Sequence, residues 1–264
     1  MGKGVMFSIT MVLVSSLLLV ISAIMLNNSN AAELRSMEFG IASSINDISG
    51  SIEKSISDIF SDSGLSVSGS GNAVNISESL PSSNLSSVNE SLNDFKSFVE
   101  SESGNVAINI DSLDIIVLPS SIRYVQNSSL TRLIKNFNES KDAVFTFNMN
   151  NNSVGSINWL SFSSGSNSLT IVYKNSSTIV VSSKLVDFNK DLSIDLKSGS
   201  REDFAIEKDS DDLVIKYKNN AGAVNLGASI TLNNNILANA AMGSYVIIDH
   251  SAVGVSKIFY PRIV

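Results

Sequence analysis

The stretch Val5 to Leu26 (VMFSITMVLVSSLLLVISAIML) runs for 22 residues without a charge, a proline or a glycine. As a helix rising about 1.5 Å per residue it is about 33 Å long, enough to cross a hydrocarbon core of about 30 Å. A membrane span is therefore expected at residues 5–26, and everything after it belongs on one side. Only Met1-Gly-Lys-Gly4 precedes the run, so the cationic end holds Lys3 and the α-amino group, while Glu33, Arg35 and Glu38 lie beyond the other end. The positive-inside bias puts the N-terminus in the cytoplasm and the bulk of the chain outside.

Eight Asn-x-Ser sequons follow the run, at Asn27, Asn75, Asn84, Asn89, Asn127, Asn138, Asn151 and Asn175. As candidate N-glycosylation sites they fit an exported surface, although a chain so rich in Asn and Ser produces some by chance. Three fates of the run remain open. A secretory signal peptide would be cut after Ser29-Asn30-Ala31, ahead of Ala32, but its hydrophobic region is usually only about 7 to 15 residues long. A plain signal anchor would stay uncut.

The third fate rests on a resemblance. Gly2-Lys3-Gly4 directly before Val5-Met-Phe7, with no long basic region, resembles the class III signal of archaeal type IV pilins and archaellins. The likeness covers about the first 30 residues. It implies a cut between Gly4 and Val5, with the hydrophobic helix kept as the mature N-terminus. It also implies assembly with copies of itself, or with other pilin-like subunits, through that helix. Bacterial type IV pilins carry a glutamate at the fifth mature position; this chain has Ile9 there, as archaeal members often lack the glutamate.

Past Asn27-Asn-Ser-Asn30, apolar residues return at Leu34, Met37, Ile41, Ile45, Ile48, Ile52, Ile56 and Ile59. The spacings repeat every 11 residues and describe a one-sided helical stripe. Either downstream segments of the same chain or identical helices of neighbouring subunits would cover it. A Ser- and Gly-rich break follows at residues 61–72, with Val67 and Val74 to Ile76 flanking a candidate hairpin. A second amphipathic helix is expected from about Ser83 to Glu100, on the spacing of Leu85, Val88, Leu92, Phe95 and Val99. Residues 27–103 thus read as a helical stem.

From residue 104 the period changes from helical to alternating, as in Phe145, Phe147 and Met149, or Leu169, Ile171 and Tyr173. About a dozen strands are expected, among them Val106 to Leu118, with a short helix at Leu130 to Phe137 as the one interruption. Residues 104–264 therefore read as an extracellular antiparallel β-sandwich. The fold class is α+β: transmembrane helix, amphipathic stem and β-sandwich.

Chemistry is sparse. A formal net charge of −7 argues against a nucleic-acid partner, because a phosphate backbone needs a basic face. There are no cysteines and a single histidine, His250. Zinc or Ser-His chemistry is therefore poorly supplied, and a polar strand end explains Asp249-His250. Asp187, Asn189 and Asp191 space their oxygens as calcium loops do, but Leu192 stands where such a loop needs glycine and Ser198 where it needs glutamate. Turn chemistry is the better account of them. Trp159, Phe162 and Tyr173 are candidates for a sugar-stacking platform, weighed against core packing. No metal, cofactor or catalytic residue is assigned. The expected protein is a non-enzymatic, single-pass surface protein in contact with membrane lipid, a pilin-like subunit or pseudopilin. The alternative is an anchored adhesin that recognises a surface glycan or a protein.

Overall fold

The structure is a computed structural model that describes residues 3–62, 64–80, 85–102, 104, 106–110, 114–150, 152–218, 222–233, 237–250 and 255–263. The chain divides into two compact units, Met1–Gly50 and Ser51–Val264.

The described part of the first unit is helix throughout, belonging to α1 (Lys3–Asp62), which runs without interruption for 60 residues. The polar stretch Asn27 to Asn30 lies within this helix. Four residues of moderate helix propensity, without proline or glycine, do not stop the helix. Among the described side chains, Leu17, Leu18, Leu19, Val20, Ile21, Ile24, Met25 and Leu26 are exposed, and so are Leu34, Met37 and Phe39. By length and composition this helix is able to cross a membrane.

In the second unit the end of α1 buries Ile52, Ile56 and Phe60. A hairpin follows, β1 (Leu65–Ser70) and β2 (Ala73–Leu80), turned by Gly71-Asn72 with Gly71 at φ +61°. Only glycine adopts that conformation without cost. α2 (Leu85–Glu102) buries Val88 and Leu92 and lies against β3 (Val106–Asn109), where the Ile108 amide donates to Glu100 Oε1 at 3.0 Å.

The remaining strands are β4 (Asp114–Leu118), β5 (Arg123–Ser128), β6 (Thr131–Lys135), β7 (Ser140–Asn148), β8 (Ser156–Phe162), β9 (Asn167–Lys174) and β10 (Ile179–Val186). After them come β11 (Leu192–Ser198), β12 (Arg201–Asp209), β13 (Asp212–Tyr217), β14 (Val224–Leu232), β15 (Asn239–Met242), β16 (Tyr245–His250) and β17 (Val255–Phe259).

They form three sheets. One has six strands in the order β1-β2-β14-β7-β9-β10, one has eight in the order β15-β4-β5-β6-β13-β12-β11-β8, and a small one is β17-β16-β3. All named pairings are antiparallel except β7 with β9, which run parallel with Phe145 opposite Ile171. The alternation read in the sequence places its apolar members inside: Phe145, Phe147, Leu169, Ile171, Leu213 and Ile215 are all buried. Side chains of the two larger sheets meet, as in the Phe147 and Phe204 rings, whose centroids are 4.5 Å apart.

Three expectations change. The helix at Leu130 to Phe137 is instead β6 followed by a single 3-10 turn, Phe137–Glu139. Leu130, Leu133, Ile134 and Phe137 imitate a helical face, but β6 has a strand on either side, β5 and β13, and ladder pairing outweighs local propensity. Val106 to Leu118 is not one strand: β3 joins the small sheet and β4 the eight-stranded one. β15 was not anticipated, because Asn-Ala-Ala-Met carries little strand propensity; it is held by β4 and buried.

Candidate functional site

Gly4 and Val5, the candidate processing pair, lie within α1. Among the sequons, Asn84 and Asn151 fall outside the described residues or their described side chains. Asn27 is exposed on α1, Asn89 on α2 and Asn127 on β5. Asn75 is half-buried in the middle of β2, opposite Ser229 of β14.

Among the described residues, two sequons donate through the carboxamide nitrogen that a glycan would occupy. Asn138 donates to Asp211 Oδ1 at 3.2 Å. Asn175 donates to the Asn152 carbonyl at 2.7 Å while its own Oδ1 accepts the Ser177 and Thr178 amides. A sugar on either nitrogen would have to displace that bond.

The aromatic trio divides. Tyr173 is fully buried, whereas Trp159 and Phe162 stand on β8 at the end of the eight-stranded sheet, their rings edge-on at 5.7 Å. Trp159 Nε1 donates to Ser182 Oγ of β10 at 2.9 Å, and Lys184 Nζ sits 4.7 Å from the Phe162 centroid and 5.8 Å from that of Trp159. A cation over paired rings suits an aromatic edge that meets solvent or a partner.

In the acidic turn, Asp187 Oδ1 accepts the backbone amide of Asn189 at 2.9 Å and its carboxamide at 3.2 Å. These hydrogen bonds hold the Asp187 carboxyl below its ordinary pKa. The oxygen that would begin a calcium loop thus closes its own turn. Among the described residues no group of three or more His, Asp or Glu side chains converges as a metal site. Asp249 and His250 end β16, at the pairing with Ser256 and Val255.

The sequence reading did not single out two buried polar clusters that join the sheets. Glu78 of β2 accepts from Tyr124 OH, from Arg132 Nε at 2.5 Å and from Gln126 Nε2 at 2.7 Å, while Arg132 Nη1 donates to the Ser128 carbonyl at 2.5 Å. Glu78 and Arg132 are both withdrawn from water. Burial, then the Glu78 charge, pushes the Tyr124 hydroxyl well above the usual tyrosine range.

In the second cluster, Asp203 of β12 accepts from Arg201 Nε at 2.6 Å and from Tyr173 OH of β9. Burial and that hydrogen bond push Tyr173 up as well. The signal for Glu78 was available: it follows Val74 and Ile76 at strand spacing, and all three are buried.

Comparison of the chain with protein-family models, with curated proteins and with solved structures finds no match.

Proposed function

We propose that this protein is a non-enzymatic, membrane-anchored surface protein, a type IV pilin-like filament subunit or pseudopilin whose β-rich part faces the exterior. The observation that carries the reading is the uninterrupted helix α1 and what it leaves bare. Between Leu17 and Leu26 its large apolar side chains are between 42% and 72% exposed. Water does not tolerate so long an apolar surface, so lipid or other helices cover it.

Leu34, Met37 and Phe39 extend that exposure past the polar stretch at residues 27–30. From Val5 to Phe39 the helix is about 52 Å long at its standard rise, well beyond a hydrocarbon core of about 30 Å. A lone anchor leaves the excess bare; neighbouring copies bury it, at about 1.5 to 3 kcal/mol for each large apolar side chain. On this reading the two larger sheets are the layers of a sandwich carried outside the cell. The ring contact of Phe147 with Phe204 and the bond of Tyr173 to Asp203 support that arrangement.

A second reading, an anchored adhesin, draws on Trp159 and Phe162 at the end of the eight-stranded sheet, where flat rings suit a sugar face. Electron microscopy of native surface material separates the two. Filaments that disappear when the gene is removed support the subunit reading. Single or micelle-bound particles alone leave only the anchor.

A further inference from the structure

The sequons that lie on described side chains sit on very different backbones. A sequon serves as an acceptor from a surface loop, where the Asn carboxamide and the Ser two residues on reach one catalytic site together. In a helix, residues two apart lie about 200° apart round the axis and do not face each other. That separates Asn27 from Ser29 on α1 and Asn89 from Ser91 on α2. The Asn89 side-chain oxygen also accepts from Asn93 Nδ2 at 3.3 Å. Asn75 is half-buried in β2 between two strands, opposite Ser68 of β1 and Ser229 of β14. The nitrogens of Asn138 and Asn175 already donate within the fold.

Asn127 differs from all of these. Asn127, Ser128 and Ser129 are each exposed, and the sequon straddles the end of β5 and its turn into β6. Gln126 pairs with Arg132 and Ser128 with Thr131, so Asn127 is the extra residue of a bulge. A bulge leaves that residue out of the ladder and re-aims its side chain. Among the described residues neither the Asn127 carboxamide nor the Ser129 hydroxyl has a hydrogen-bond partner. The residue between them is fixed instead: Ser128 Oγ accepts the Leu130 amide at 3.2 Å, and the Ser128 carbonyl accepts Arg132 Nη1 at 2.5 Å. Arg132 is itself held by buried Glu78, so the hairpin tip presents its free Asn and Ser from a rigid base.

We propose that Asn127, at the β5–β6 turn, is the residue among these six that carries an N-linked glycan. The sugar comes from a lipid-linked glycosyl phosphate under a separate membrane transferase. Asn127 Nδ2 forms a bond to the anomeric carbon while the bond from that carbon to the phosphate oxygen breaks. The lipid phosphate leaves with the electron pair, and the nitrogen gives up one proton to the transferase. The product keeps the fold intact, because the modified nitrogen breaks no bond and the glycan projects from an exposed turn into water. The inference rests on the reading that the β-rich part faces the exterior, and it is independent of filament assembly.

Trypsin separates the sequons cleanly. The peptide Tyr124–Arg132 holds Asn127 as its one asparagine, while Asn138 falls in Asn136–Lys141 and Asn175 in Asn175–Lys184. Mass spectrometry of full-length protein from its native membrane should find Tyr124–Arg132 heavier by a glycan and the other two peptides at their bare masses. Asn127→Gln and Ser129→Ala, each expressed in the native host, should both return the peptide to its bare mass, because the first removes the acceptor and the second the sequon. Neither variant removes a hydrogen bond, so circular dichroism should be unchanged.

Labelling intact cells with a membrane-impermeant amine reagent reports in parallel on exposed Lys190. A bare Tyr124–Arg132 peptide in protein labelled at Lys190 overturns the proposal while the exterior reading stands. A bare peptide without labelling overturns both. A glycan on Asn138 or Asn175 in place of Asn127, or one that survives Asn127→Gln on a neighbouring hydroxyl, overturns the proposal as well. A glycosylated Asn127 in protein that microscopy shows only as single particles sustains it while the filament reading fails.

Discussion

Glu78 Oε1 lies 2.5 Å from Arg132 Nε, with the two side chains 2% and 1% exposed. The pair joins β2 of the six-stranded sheet to β6 of the eight-stranded one. A buried ion pair is a modest net stabiliser, because desolvation offsets much of its attraction, but removing one partner strands the other. Arg132→Met leaves the Glu78 carboxylate with Tyr124 and Gln126 alone and is expected to cost about 3 to 5 kcal/mol. That corresponds to a fall in Tm of roughly 10 °C, readable by calorimetry of the full chain in detergent. The double variant Glu78→Met with Arg132→Met should recover a large part of the loss.

Tyr124 and Tyr173 make the protein sensitive to alkali. Both hydroxyls titrate above the ordinary value of 10.0 in the folded chain, chiefly because burial disfavours the phenolate. Their stabilising contribution is complete below pH 10.0 and declines above it, where the unfolded chain loses protons that the folded one keeps. Each such tyrosine steepens the decline by about 1.4 kcal/mol per pH unit until its folded value is reached. Denaturant midpoints measured across this range should fall, and Tyr124→Phe should make the fall shallower.

Two glycines should respond in opposite directions. A Cβ on Gly165 would lie 2.5 Å from the Val186 carbonyl oxygen and 2.6 Å from Asp187 Cα, backbone atoms that cannot step aside. Gly165→Ala should cost about 1 to 3 kcal/mol through that overpacking. Gly50 is helical with nothing within 4 Å of a built Cβ. There alanine should add about 0.5 to 1 kcal/mol by restricting the unfolded chain. Thermal melts of the two variants check both signs.

Millimolar calcium should leave the melting temperature unchanged, since the Asp187 carboxylate is committed to Asn189. A rise of several degrees would contradict the turn assignment.

Much of this fold was legible because alternation in a strand and its burial are the same fact seen twice. Phe145 and Phe147, or Leu213 and Ile215, fix their strands from sequence alone, and each is buried. What misled was local resemblance between periods. Leu130, Leu133, Ile134 and Phe137 fit a helix, and only the strands on either side of β6 make that segment extended. With β6 misread, Arg132 could not be seen as an inward strand position, so its pairing with Glu78 stayed hidden. The parallel pairing of β7 with β9 depends on contacts distant in sequence and leaves no local mark. The aromatic candidates were half legible: Tyr173 alternates with Leu169 and Ile171 into the core, whereas the exposure of Phe162 follows from β8 being a terminal strand.

The central claim is that the apolar helix persists in the working molecule as its first element. Mass spectrometry of the N-terminus of protein isolated from its native membrane tests this most directly. The account predicts a mature chain beginning at Val5 with α1 attached. A chain beginning at Ala32 would contradict it, because the helix would be gone, and one beginning at Met1 would contradict the pilin-like processing.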